Sequence, residues 1–319
     1  MKASLIFSRS AAKIVPYKKI FLTGGTGLLG STLVRTVPEE FDLVASYVKN
    51  AVIMDRGRAS FTEIDITNKA MVLNIFDEVK PEVLIHTAAI ANVDYCETHK
   101  DEAWSVNVGG TANLLEACDK HGTKMVFTST NAVFDGENAP YSEEDEPNPI
   151  NYYGKTKLEA ETLVRKRRED HAVARLMTMY GWNNPSERQN PVTLLLSKLT
   201  KGDEMRMVDD IYNNHLLADN CADALWAIVK LDKDGIYHIA GKDCISTYKL
   251  ALEVADVFEL DKNLIKPVES DFFKFPAPRP KNTCYVTDKM DNELRVRPLG
   301  VREGLLYMKQ HRPEWATPE

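Results

Sequence analysis

Residues 21–30 read Phe21-Leu22-Thr23-Gly24-Gly25-Thr26-Gly27-Leu28-Leu29-Gly30, three spaced glycines between a short apolar run and an amphipathic stretch. The pattern predicts a strand over 20–23 and a helix over 28–37, which puts the glycines in the turn joining them. Such a turn brings unhindered backbone N–H groups and a helix N-terminus up to a pyrophosphate, and Gly30 lets the helix pack closely on the sheet. Glycines also serve ordinary tight turns. The strand before and the helix after are what direct the reading to a dinucleotide.

Working outward, strands are expected over 43–46, 61–64, 83–86, 125–129 and 172–176, and helices over 69–79, 101–121 and 151–169. This alternation predicts an α/β fold with a doubly wound parallel sheet (Rossmann), its loops after the strands gathered along one ligand-binding edge. Residues 1–16 read as an N-terminal extension and 17–180 as the dinucleotide-binding domain. The Gly/Asn/Pro/Ser-rich stretch 181–191 marks a change, so 181–319 is expected to be mainly a second, smaller α/β substrate-binding domain, with some segments returning to the first. Helices are expected there over 192–201, 220–229 and 247–258, a strand over 235–239, and a Pro-rich connection over 275–281.

The chain has 319 residues, 44% hydrophobic and 27% charged, enough to bury a continuous core. A formal net charge of -7 argues against general attraction to nucleic acid or an anionic membrane. No apolar run approaches the roughly 18–20 residues that span a bilayer. Cys96, Cys118, Cys221, Cys244 and Cys284 lie far apart, without the paired spacing of zinc or redox sites, so a reduced cytoplasm is the simplest reading and no metal is expected.

A site selective for NAD usually carries an acid at the end of its second strand. Here that strand ends near Ser46-Tyr47 with no acid in place, and Lys49, Arg56 or Arg58 could pair with a 2′-phosphate, so NADP(H) is favoured over NAD(H). Further on, Tyr153-Gly154-Lys155-Thr156-Lys157 opens a predicted helix, which places Tyr153 and Lys157 on one face. A neighbouring ammonium favours the phenolate and would bring Tyr153 into range as an acid/base. The run 126–134 ends a buried-type strand in hydroxyls at the sheet edge. Thr130 is the candidate to bond a reacting carbonyl or alcohol, and Ser129 reads as serving turn backbone.

With these residues in hand the chain resembles the extended short-chain dehydrogenase/reductases, specifically the group typified by dTDP-4-dehydrorhamnose reductase. The matching stretches are 23–30, His86-Thr87-Ala88-Ala89, Val93-Asp94, Asn107-Val108-Gly109-Gly110-Thr111, 129–136, 147–161 and Arg279-Pro280-Lys281. The resemblance implies a pyrophosphate loop of Gly24, Gly27, Leu28 and Leu29, an adenine-side contact at Asp65-Ile66, and a loop beside the cofactor at Ala88, Ala89 and Ile90. It implies Thr130, Tyr153 and Lys157 as the catalytic trio, and a structural or proton-relay role for Asn107. Asn131-Ala132 departs from the Asp-Glu pair of dehydratases and from the Asp-Tyr common in rhamnose-pathway reductases, which disfavours a dehydratase and leaves the sugar open.

The function implied is reduction of a keto group on a nucleotide-activated deoxysugar, with the nucleotide sugar as partner and a homodimer among the open assembly states. Asn131, Trp182 (stacking) and Arg279 (phosphate) are the expected substrate contacts. Val133-Phe134-Asp135-Gly136, Pro140-Tyr141 and 153–158 are also similar to the β regulatory subunit of methionine adenosyltransferase, so a non-catalytic NADP-binding regulatory subunit is the rival reading. An epimerase with tightly held NAD is a third.

Overall fold

Strands buried on both faces, alternating with one-sided helices, are stable only as a sheet sandwiched between two helical layers. The computed structural model describes residues 18–48, 57–184 and 188–316. The chain runs β1 (Lys18–Thr23), α1 (Leu28–Arg35), β2 (Phe41–Tyr47), β3 (Ser60–Glu63), α2 (Lys69–Val79), β4 (Val83–His86), α3 (Val93–Thr98), α4 (Lys100–Trp104), a π-helical segment (Ser105–Gly110), α5 (Thr111–His121), β5 (Lys124–Thr130), α6 (Tyr152–Arg167) and β6 (Ala172–Leu176). It continues through β7 (Met179–Tyr180), α7 (Pro191–Thr200), β8 (Met205–Val208), β9 (Tyr212–Asn214), β10 (Leu216–Leu217), α8 (Ala218–Lys230), β11 (Gly235–Ile239), β12 (Cys244–Ser246), α9 (Thr247–Val257), β13 (Ile265–Val268), α10 (Asp288–Leu294) and α11 (Val301–Gln310). The expected N-terminal extension, 1–16, lies outside the described residues.

The seven-stranded sheet has the order β11-β6-β5-β4-β1-β2-β3, and every pairing in it is parallel. This is the doubly wound Rossmann arrangement, winding outward from β1 in both directions. The loops after β1 and β4 therefore diverge and leave a crevice at the carboxyl ends of the strands. Strand alternation sends Ile20 and Leu22 into one apolar layer and Phe21 into the other. The first layer includes Leu29 and Leu33 of α1 with Leu225 and Trp226 of α8; the second includes Val72 and Phe76 of α2 with Leu114 and Leu115 of α5.

The second half of the chain contributes twice to this body: β11 adds the edge strand beside β6, and the Trp226 indole stacks on Phe41 and donates to Thr36 Oγ1 at 3.2 Å. The remaining elements form a smaller cluster in which Leu195 of α7, Leu250 and Val254 of α9, and Leu305 and Met308 of α11 pack together. Among the described residues no helix is long and apolar enough to cross a membrane.

Two expectations are corrected. The helix expected over 101–121 is broken by the π-helical segment, where Gly109-Gly110 weakens α geometry and a Cβ on Gly110 would lie 2.6 Å from the Ile66 side chain. Cys244 and Cys284, unremarkable in spacing, form a disulfide with Cα atoms 5.8 Å apart, because antiparallel pairing of β12 with β9 carries Cys244 to the 282–285 segment. Cys96, Cys118 and Cys221 are buried and free.

Burial holds three histidines neutral: His86 and His238 are pushed down to about 3 and His215 to about 4. The unfolded chain binds these protons from about pH 6.5 downward, so their contribution to stability is complete above 6.5 and is lost as pH falls toward 4 and then 3. Burial lowers His171 in the same direction, so we expect urea midpoints to fall between pH 7 and 5 with a slope that steepens toward uptake of at least about three protons on unfolding. A flat profile across that window would contradict the burial argument.

Candidate active site

The site begins where backbone meets backbone. Gly24 has φ 73°, and a Cβ there would lie 2.8 Å from Thr87 Oγ1 and 3.0 Å from Ala88 N. A Cβ on Gly30 would lie 2.0 Å from Gly24 O, so α1 presses directly on the turn. Gly27 differs: a Cβ there would meet nothing nearer than Gly24 O at 3.7 Å, and as N-cap it offers no side-chain acceptor to the first amides of α1. Among the described residues no side chain caps that first turn, and Gly24, Gly27, Leu28, Leu29 and Gly30 line a cavity of about 640 Å³. This open, uncapped helix end suits an anion such as a pyrophosphate.

A buried polar ladder fixes the floor. Thr23 Oγ1 lies 2.7 Å from His86 Nδ1 and accepts from the Thr87 and Ala88 amides, while His86 Nε2 lies 3.1 Å from Thr111 Oγ1. Thr111 donates its own proton to Asn107 O, so it accepts from Nε2–H and leaves Nδ1 to accept from Thr23. A neutral imidazole satisfies every partner, in keeping with the depressed pKa. Asn107, in the π-helical segment, bonds both backbone groups of Ile90 (2.8 and 3.1 Å) and donates to Thr156 Oγ1, whose hydroxyl donates to Tyr153 O. One carboxamide thus ties the loop after β4 to the helix carrying Tyr153, a structural role.

Thr130 ends β5 and Tyr153 opens α6, and both line the cavity with Lys157. They meet because Gly154 has no side chain: a Cβ there would sit 2.1 Å from Ala132 O. Asn151 caps α6 by accepting from Gly154 N at 2.9 Å, an N-cap signal legible in the sequence but not used there. Burial pushes the Tyr153 phenol up to about 12, against a lowering contact from Thr130. Lys157 is pushed down to about 7 by burial, partly offset by Glu161, and its Nζ lies 4.1 Å from the centre of the Phe127 ring. The expected balance, an ammonium lowering the phenol, is therefore corrected: desolvation dominates both groups.

The second half of the chain supplies the opposite wall. Asn131 Nδ2 donates to Asn213 Oδ1 (3.1 Å) and Thr283 Oγ1 (2.7 Å), two lining residues that no local sequence signal marks. Arg279 lines the cavity, but its guanidinium pairs with Asp94 at 2.8 Å and donates to Ala277 O. Arg188, which sequence reasoning also missed, lines the cavity too.

Other expected residues sit elsewhere. Trp182 does not line the cavity, because its indole donates to Met308 O at 2.7 Å and its ring packs edge-on to Phe258 under the Arg312 guanidinium. Asp65 is exposed and accepts from Thr67 N and Oγ1, while Ile66 is buried against the second apolar layer. Ala89 lines the cavity, Ala88 is bonded to Thr23, and Ile90 is held by Asn107. Thr130 lines the cavity and also accepts from the turn amide of Ala132, the backbone role expected of Ser129, whose own hydroxyl is buried with no hydrogen-bond partner among the described residues. Of the cations considered for a 2′-phosphate, Lys49 and Arg56 lie outside the described residues, and Arg58 donates to the carbonyls of Val37 and Pro38.

The chain belongs to the family described as RmlD substrate binding domain, whose model matches residues 18–312. It is 30% identical over 283 residues to methionine adenosyltransferase 2 subunit beta of Rattus norvegicus, covering 87% of this chain and 83% of that protein. It is 30% identical over 277 residues to the "Probable low-salt glycan biosynthesis reductase Agl14" of Haloferax volcanii, covering 86% of this chain and 91% of the other. Among solved structures, dTDP-4-dehydrorhamnose reductase of Bacillus anthracis in complex with NADP matches with a TM-score of 0.81 at 25% identity, covering 92% of this chain and 99% of that one.

Gly30→Ala, forced against Gly24 O, should destabilise the fold by about 1–3 kcal/mol. Gly27→Ala should leave the denaturation midpoint unchanged but weaken dinucleotide binding measured by fluorescence titration; equal stability losses in both would show that the two glycines serve packing alike. A second expectation concerns Lys157. Its folded pKa lies below the ordinary value near 10.5, so protonation opposes folding and stability should rise as pH climbs from about 7 toward 10.5. Lys157→Met should therefore exceed the parent in stability below pH 7 and lose that advantage by pH 10. A pH-independent difference in unfolding midpoints would contradict this.

Proposed function

We propose that this member of the family is an NAD(P)H-dependent reductase of a keto group on a nucleotide-activated deoxysugar. The observation that carries the reading is the convergence of Thr130, a protonated Tyr153 and Lys157 on the cavity that the uncapped end of α1 also faces. Reduction needs an acid, and a phenol held near 12 is fully protonated at neutral pH and ready to give its proton to a developing alkoxide. Thr130, within reach of the same point, polarises the carbonyl before the proton moves. Lys157 holds the ribose and completes the wall beneath it. When bound, the reduced nicotinamide supplies a hydride to the carbonyl carbon.

The fit of a dinucleotide rests on the open approach at Gly27 and the free amides of α1. The similarity to a reductase solved with NADP supports NADP(H) as the favoured cofactor, with NAD(H) second. The opposite wall, with Asn131, Asn213, Thr283 and the Asp94-paired Arg279, is the side that would read the sugar nucleotide.

A second reading, a non-catalytic NADP-binding regulatory subunit, is favoured by the 30% identity to methionine adenosyltransferase 2 subunit beta. Cofactor oxidation measured against a panel of 4-keto nucleotide sugars separates the two. Turnover with at least one sugar is expected, and Tyr153→Phe should lower it about 10²–10⁴-fold while leaving cofactor affinity nearly unchanged. Absence of turnover with the whole panel, together with a tight complex with a partner protein, would replace the reductase by the regulatory reading. Cofactor that co-purifies and is not consumed would instead identify an epimerase.

A further inference from the structure

A lysine in an apolar slot tends to lose its proton, yet an amine meant to hold a ribose works best as an ammonium. The surroundings of Lys157 are therefore decisive. On its own helix stand Tyr153 one turn before and Glu161 one turn after. Phe127 of β5 lies under its Nζ, and His86 at the end of β4 feels its charge while remaining neutral. Cys96 of α3 acts on Tyr153, with its thiol pushed up to about 11. Arg175 of β6 lies beside Glu161, His238 of β11 beside Arg175, and Tyr285 stacks on His238 at 3.8 Å. Asp145 acts on His238, Glu143 on Tyr285 and Glu97 on Cys96, and Glu161 is the carboxylate that acts on Lys157 itself.

Glu161 and Arg175 are each about 1% exposed. The guanidinium takes up both carboxylate oxygens, Nε at 3.2 Å from each and Nη2 at 3.0 Å from Oε2. Arg175 is itself fixed: it donates to His238 Nε2 at 3.4 Å, lies 5.2 Å from the centre of the Phe134 ring, and the His238 Nδ1–H is spent on Tyr141 O. The carboxylate consequently cannot swing round the helix, and Lys157 forms no ion pair among the described residues although a carboxylate sits one turn away.

We propose that Glu161 is a positioning residue for Lys157: tethered by Arg175, its carboxylate offsets part of the cost of charging the buried amine without capturing it, so the ammonium form stays accessible and aimed at the cavity. The inference rests on the proposed function only for the use made of Lys157; the charge itself is measurable without turnover.

The test is a pH titration of ε-13C-lysine NMR signals in the full chain, with the Lys157 signal assigned by its loss in Lys157→Met. Glu161→Gln alone strands a buried guanidinium and can unfold the chain, so the informative variant is Glu161→Gln/Arg175→Met, which leaves neither charge unpaired. In it the Lys157 midpoint should fall, by less than the roughly one unit or more of an unpaired carboxylate because the guanidinium charge leaves with it, and the pH above which NADPH binding weakens should fall with it. Arg175→Met alone should do the reverse, releasing the carboxylate onto Lys157, raising the midpoint and weakening NADPH binding several-fold. A Lys157 midpoint in the double variant equal to that of the parent overturns the proposal. Failure of the reductase reading would show instead as absent turnover with these titration shifts intact.

Discussion

The site depends on two places where main chain is pressed against main chain with no room for a methyl group. At one, Gly30 of α1 rests on the carbonyl of Gly24; at the other, Gly154 of α6 rests on the carbonyl of Ala132. Each contact draws the start of a helix onto the end of a strand. Together they set the distance between the N-terminal end of α1 and the Tyr153 phenol. Side-chain packing fills the remainder, but it could not bring either pair of elements so close.

Much of this was legible in the amino-acid order because it is local. The glycine turn, the four-residue spacing of Tyr153 and Lys157 and the hydroxyls ending β5 each lie within one element or one loop, so period and composition expose them. The strands at 83–86, 172–176 and 235–239 were equally plain, being short apolar runs between breakers. What escaped was non-local. Asn213 and Thr283 join Asn131 across 82 and 152 residues, and the Cys244–Cys284 bridge depends on a strand pairing that no local pattern announces. The misplacement of Trp182 has the same origin, since its fate was settled by a carbonyl of α11.

The electrostatic reading changed most. Spacing alone suggested that a lysine one turn from a tyrosine would draw out its proton. Burial raises the phenol and lowers the amine at once, so each group is held in its neutral form more firmly than in water. A neutral phenol is the form required to donate, and an amine near neutrality is easily biased by a single fixed charge. This edge of the cavity is thus lined by groups poised by desolvation, with the buried pair of Glu161 and Arg175 one turn beyond Lys157. The polar ladder from Thr23 through His86 to Thr111 adds no charge, so it can hold the floor rigid without disturbing that balance.

The chain's return path has a bearing on how such a protein can diverge. Having supplied Asn213 to the far wall of the cavity, it comes back to lay α8 on α1 and to add β11 as an edge strand, then leaves again to supply Arg279 and Thr283. Neither half is a continuous piece of polypeptide, so no single exchange of gene segments could transplant one pocket onto another cofactor-binding body. Novelty in a fold threaded this way accumulates residue by residue along the loops that meet at the cavity. Relatives with very different occupations can therefore keep the same outline end to end.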